Sequence, residues 1–254
     1  MLGRIYASES FPGILSDVKA LELRDRLPDD IRGRDTQTQY TLLAGAVRSA
    51  NMDRRIQDFL SRRPDGVIVQ FGCGLETAFH RNDNGRTVWY DLDLPEVIAY
   101  RRSLLPDGDR ERRIPGDAFD LSWLDTVRGE FPEAPLLLVV SGVFHYFTRE
   151  EVVGLFRGLM GHGEIEVVFD TFSKGAFRRV HRYMEQAGHG DVRMYFYVDD
   201  AEELVEEIGG TAELMLDEKY YRYVSKKGLK LSTRLTMGGS DMLNMVKMVQ
   251  VRLS

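Results

Sequence analysis

The pattern of apolar and polar positions changes period once, about a quarter of the way along the chain. Over residues 1–62, Leu42, Leu43, Ala46, Val47 and Ala50, then Ile56, Phe59 and Leu60, recur at helical spacing, and Pro64 with Gly66 closes the stretch. Short apolar runs then alternate with helical ones. Val67–Phe71, Thr87–Leu92 and Arg112–Pro115 predict three strands, and Glu164–Asp170 another. Between them Pro135–Ser141 is an unbroken apolar run, as in a strand covered on both faces. Pro95 suits a first helical position ahead of Val97, Ile98 and Leu104, and Thr148 with Glu151 forms a capping-box pattern. Ser173 is placed to cap a helix through Phe177, Val180 and Met184, and Asp199 or Asp200 one through Leu204, Val205 and Ile208. Residues 211–224 and 245–253 predict two final strands joined by a polar connection.

This alternation predicts an α/β fold, a doubly wound and mostly parallel sheet with an antiparallel element at its end. Residues 1–62 are expected to form an N-terminal helical cap, and residues 63–254 the core, with a lid segment near 171–200. At 254 residues the chain is near the upper limit of one hydrophobic core.

Composition narrows the classes. A formal net charge of −6 argues against binding nucleic acid over a broad surface. No apolar stretch approaches the roughly 20 residues a membrane helix needs. The first residues carry an early acid and no apolar signal core, so cytoplasmic residence without a membrane partner is expected. Cys73 is the sole cysteine, which excludes an intramolecular disulfide and a cysteine-based zinc site. His162, His181 and His189 lack metal-ligand spacing with acids, so no metal is assigned. The pattern fixes no oligomeric state.

The candidate chemistry sits at predicted strand ends. Gly72-Cys73-Gly74 follows the first strand, and Asp91 and Asp93 end the second; glycines admit close backbone approach, and an acid there accepts hydrogen bonds from a ribose. One of the two acids is expected to face the sugar, and the other a neighbouring loop. Thr77 stands where a dinucleotide turn wants a third glycine, and no P-loop lysine follows, which disfavours an oxidoreductase or a nucleotide-phosphate site. After the third strand, Asp117, Ala118 and Phe119 are placed to meet an adenine, by carboxylate and by ring.

In order and spacing, Gly74-Leu75-Glu76-Thr77-Ala78, Asp91-Leu92-Asp93-Leu94-Pro95, Gly116-Asp117-Ala118-Phe119 and Ser141-Gly142-Val143-Phe144-His145-Tyr146 resemble the leucine carboxyl methyltransferase family. Within it they resemble the polyketide O-methyltransferase branch. The resemblance implies a class I methyltransferase fold, Rossmann-like and seven-stranded with an antiparallel last strand. It implies S-adenosylmethionine as cofactor and O-methylation of a small-molecule acceptor, with a carboxylate favoured. It places the arginine that meets the methionine carboxylate at Arg48, the turn glycines at Gly72 and Gly74 about Cys73, the ribose acid at Asp93 with Asp91 close by, and the adenine pair at Asp117 and Ala118. Two departures stand out: the family's Gly-Leu-Asp-Thr-Arg becomes Gly74-Leu75-Glu76-Thr77-Ala78, and the glutamate that often ends the fourth strand is Ser141. These departures also leave open a catalytically silent, ligand-binding member. His145 and Tyr146 are candidate catalytic residues, His145 as a base, with a packed ring as the plain alternative. Arg178 (with Arg179 and Arg182), Tyr195 and Tyr197 are candidates for the acceptor side, against a solvated helix face and a packed lid.

Overall fold

The computed structural model describes residues 1–28, 37–186 and 193–254. Seven strands form one sheet in the order β3-β2-β1-β4-β5-β7-β6. They are β1 (Val67–Phe71), β2 (Val88–Asp93), β3 (Glu111–Pro115), β4 (Leu136–Val140), β5 (Ile165–Phe172), β6 (Glu213–Lys219) and β7 (Val246–Leu253). The pairings among β1 to β5 are parallel, and β7 lies antiparallel between β5 and β6. This is the class I methyltransferase sheet that the resemblance implies.

Chain order runs outward from β1 to β3, then returns to place β4 on the other side of β1. A crevice opens at the carboxyl ends of strands where the order reverses in this way. Phe71 is in register with Val140, so the turn after β1 and the turn after β4 face each other across it. Both strands are buried along their whole length.

Helices α1 (Leu2–Ser10), α2 (Val18–Leu23) and α3 (Gln39–Arg62) precede the sheet. Thr38 caps α3 by accepting the Thr41 N–H. The apolar stripe of α3, including Leu43, Val47, Ile56 and Phe59, shares one core cluster with Ile68, Leu137, Val139 and Val168 of the sheet. Burying each such side chain contributes about 1.5–3 kcal/mol, so α3 is a layer of the core. A Cβ on Gly3 would lie 2.2 Å from the Leu42 carbonyl oxygen, so α1 presses directly on α3.

Further along come α4 (Ala78–Asn82), α5 (Pro95–Leu104), α6 (Ser122–Glu130), α7 (Arg149–Leu159), α8 (Lys174–Gln186), α9 (Ala201–Ile208) and α10 (Leu231–Met242). The capping box at Thr148 and Glu151 opens α7. Asp200 caps α9, whereas Asp199 reaches back to accept the Lys174 N–H at the start of α8.

The connection expected to be polar between the last two strands contains α10. Its inward positions are Thr233, Met237 and Ser240, while Leu231 and Leu235 face outward. The apolar stripe therefore does not mark the buried face, and periodicity alone does not reveal the helix.

Candidate active site

The turn after β1 closes on the end of β2. Gly72 and Gly74 both have positive φ, +56° and +45°. A Cβ on Gly72 would also fall 2.4 Å from a methyl of Val143 in the turn after β4. The Gly74 N–H donates to Asp93 Oδ2 at 2.8 Å, and the Leu94 N–H to Oδ1 at 2.8 Å. Asp93 thus buttresses the glycine turn at its rim, half-buried. Cys73 is buried; desolvation, with Asp91 nearby, pushes its thiol up, away from the reactive thiolate.

Beside this turn lies a cavity of about 220 Å³, lined among others by Arg48, Ser49, Gln70, Glu76 and Ser141. Arg48 reaches it from α3. Its Nε donates to Asp170 Oδ2 at 2.9 Å, and its head lies against Gly142, where a Cβ would fall 2.5 Å from Nη1. Burial opposes the Arg48 charge, but Asp170 and the Tyr220 hydroxyl outweigh it and hold the guanidinium firmly protonated. Asp170 is fully enclosed near the end of β5. Burial alone would raise its carboxyl; Arg48, His145 and the Gly142 amide outweigh burial and hold it well below the usual carboxylate range. Gln70 is 2% exposed, lines the cavity and makes no side-chain hydrogen bond among the described residues. Its amide opens onto the cavity, where it is free to bond a ligand.

Two charge clusters neighbour the cavity. In the first, Arg81 bonds Asp17, Asp53 and Glu76, while Arg4 pairs with Asp17 and Glu76. Desolvation works against the Glu76 charge, yet Arg4 and Arg81 hold its carboxyl well below the usual range. Arg81, on α4, supplies the cation that joins these acids.

The second cluster corrects the expectation for Asp91. That residue is 1% exposed, and its carboxylate accepts from Arg101 Nε at 2.9 Å and Trp89 Nε1 at 3.1 Å, with Arg113 at 3.4 Å. Asp91 and Asp93 lie two apart on β2 and so share a face; what separates them is that Arg101 and Arg113 enclose Asp91 inside the strand, whereas Asp93 ends it and meets the glycine turn, so Asp91 is structural.

In the turn after β3, expected to meet an adenine, Asp117 is exposed and its Oδ1 accepts the Phe119 N–H at 2.9 Å. The Phe119 ring stacks on Phe147 with centroids 4.0 Å apart. The Ala118 carbonyl accepts from Trp123 Nε1. The tip after β3 is therefore ordered by its own bonds.

His145 is also corrected. It is 3% exposed, its Nε2 lies 3.4 Å from Asp170 Oδ2, and its ring stacks on Phe172 at 4.5 Å. Its Nδ1 is buried without a partner among the described residues. A general base must reach the acceptor, and this ring is enclosed. Tyr146, next to it, is 50% exposed and close enough to Arg48 to act on its charge. The structure does not bring Arg178, Tyr195 or Tyr197 to the cavity wall. Arg178 is exposed on α8, Tyr197 packs on Phe177, and Tyr195 donates its N–H to the His145 carbonyl. Phe196 between the tyrosines is in the core. His189 and the side chains of His181 and Arg182 lie outside the described residues.

Sequence reasoning missed Asp170, Gln70 and Tyr220. Gln70 carried a signal, as the one polar residue in the apolar run of β1.

A family model described as leucine carboxyl methyltransferase matches residues 8–160. Over 150 residues the chain is 31% identical to the tetracenomycin polyketide synthesis O-methyltransferase of Streptomyces glaucescens, covering 59% of this chain and 54% of that protein. Over 177 residues it is 27% identical to an S-adenosyl-L-methionine-dependent methyltransferase of Gibberella zeae, covering 64% and 58%. The chain thus spans little more than half the length of these curated relatives. A crystal structure of a duf574 family protein from Streptomyces avermitilis superposes with a TM-score of 0.59 at 17% identity, covering 99% of this chain and 97% of that one.

Proposed function

We propose that this chain, which belongs to the leucine carboxyl methyltransferase family, is an S-adenosylmethionine-dependent O-methyltransferase that esterifies a carboxylate of a small molecule. The observation that carries the reading is the cavity beside the glycine turn, where a fixed cation, Arg48, stands with an unpartnered amide, Gln70, and a hydroxyl, Ser141. Cation, amide and hydroxyl together fit the charged amino-acid end of that cofactor. Arg48 would hold the carboxylate, Gln70 and Ser141 the ammonium, and Asp93 the ribose. The bound cofactor supplies an electrophilic methyl group.

The chain's own task is then to bind, align and exclude water. An adjoining cavity of about 480 Å³ between α1 and α3 shares Gly3, Gly45 and Leu75 with the first, and gives a small acceptor room to approach. The enclosure of His145 supports the carboxylate version. A phenol near pKa 10 benefits from a base, whereas a carboxylic acid near pKa 4 arrives ionised at pH 7 and needs none. The test is a labelled-methyl assay across carboxylic acids and phenols. An ester releases labelled methanol in mild base, and base-stable label in the product overturns the carboxylate assignment.

A further inference from the structure

Asp170 belongs to no motif that carries the family resemblance, yet three groups converge on it. Oδ2 accepts from Arg48 Nε at 2.9 Å, Oδ1 accepts from the Gly142 N–H at 2.7 Å, and His145 Nε2 lies 3.4 Å from Oδ2. The carboxylate is wholly enclosed, and the guanidinium it holds lies directly on Gly142. One side chain therefore fixes both Arg48 and the turn on which Arg48 rests.

We propose that Asp170 is a positioning residue for the cofactor's amino-acid end: it sets the guanidinium of Arg48 in the orientation that receives a carboxylate. The inference rests on the cofactor reading above. An arginine presents its donors in a rigid planar fork, so anchoring Nε fixes where the other donors point. A free arginine on α3 would have to lose its rotamer freedom on each binding event; this one has already lost it. His145 closes the arrangement from behind, with Phe172 stacked on its ring. The buried charge is also balanced without a glutamate at position 141, because Asp170 supplies the carboxylate from the neighbouring strand.

The test compares two ligands by calorimetry, S-adenosylmethionine and 5′-methylthioadenosine, which lacks the amino-acid end. In Asp170→Asn the amide can keep its oxygen towards the Gly142 N–H only by turning a donor against Arg48. S-adenosylmethionine should bind about 10- to 100-fold more weakly, the range seen when the outer partners of metal ligands are removed. 5′-Methylthioadenosine should bind as it does to the wild type, a selectivity that a merely structural role would not produce. Asp170→Glu keeps the charge but displaces Arg48, and should show the same selective loss, so it decides the matter if the asparagine variant does not fold. Equal loss of both ligands, or undiminished S-adenosylmethionine binding, overturns the inference alone. A wild-type protein that binds neither ligand overturns the cofactor reading and this inference with it.

Discussion

Two arginines, Arg48 and Arg101, each pair with a buried aspartate near the crevice, and they do opposite things. Arg101 is 1% exposed: it pairs with Asp91 and Glu111, and Nη1 donates to the carbonyls of Gly74 and Glu76. The Arg48 side chain keeps 32% of its surface open beside the cavity, with its Nε held by Asp170. The first ties the glycine turn to α5 and β3, and leaves a ligand nothing to bind. The second is anchored from behind and open in front. A buried charge that is fully answered by protein groups reads as structure; one that is held but unfinished reads as a site.

Replacing each arginine by methionine should separate the two. Arg101→Met strands Asp91 and Glu111 without their main cation and should cost about 3–5 kcal/mol of stability, seen as a large drop in Tm. Arg48→Met should weaken S-adenosylmethionine about 100-fold, near 2.8 kcal/mol, with a smaller loss of Tm. If the two variants showed the same ratio of stability loss to affinity loss, the contrast would collapse.

A smaller effect comes from acid. Glu76, beside the cavity, and Asp170, behind Arg48, both have carboxyls lowered in the folded state. A lowered folded pKa gives stability that is complete above the unfolded value of about 4 and is lost as pH falls towards the folded one, at about 1.4 kcal/mol per pH unit for one proton. In urea unfolding, the stability gap between wild type and Glu76→Gln should stay constant from pH 7 to 5 and narrow below about pH 4. A gap that changes above pH 6 contradicts the assignment. Smallest of all, Gln70→Leu removes an unanswered amide from a central strand. Free-protein Tm should hold or rise slightly, while cofactor affinity falls several-fold, up to about 10-fold; a lower Tm with unchanged affinity would make Gln70 structural.

The sequence revealed the strands well, because Val67–Phe71 and Pro135–Ser141 are apolar runs set between clear turn residues. It also named Arg48 and Asp93 as candidates, through the resemblance. It did not separate Asp91 from Asp93 by burial, since what buries Asp91 is an arginine on the following helix and another on β3. Asp170 was hidden for a related reason: its partner Arg48 is 122 residues away, and an acid near a strand end looks like a solvent-facing terminus. The helix α10 escaped because its buried side is Thr233, Met237 and Ser240.

The position of Arg81 on α4 bears on how the Gly74–Ala78 motif is read. A motif column compares letters at fixed positions, and at column 78 this chain scores as a loss. The fold sets charges in space, and there Arg81, three residues on, closes on Asp17, Asp53 and Glu76. Reading that column alone overlooks the cation that Glu76 already has. Tallying the charge over the whole of α4 records it.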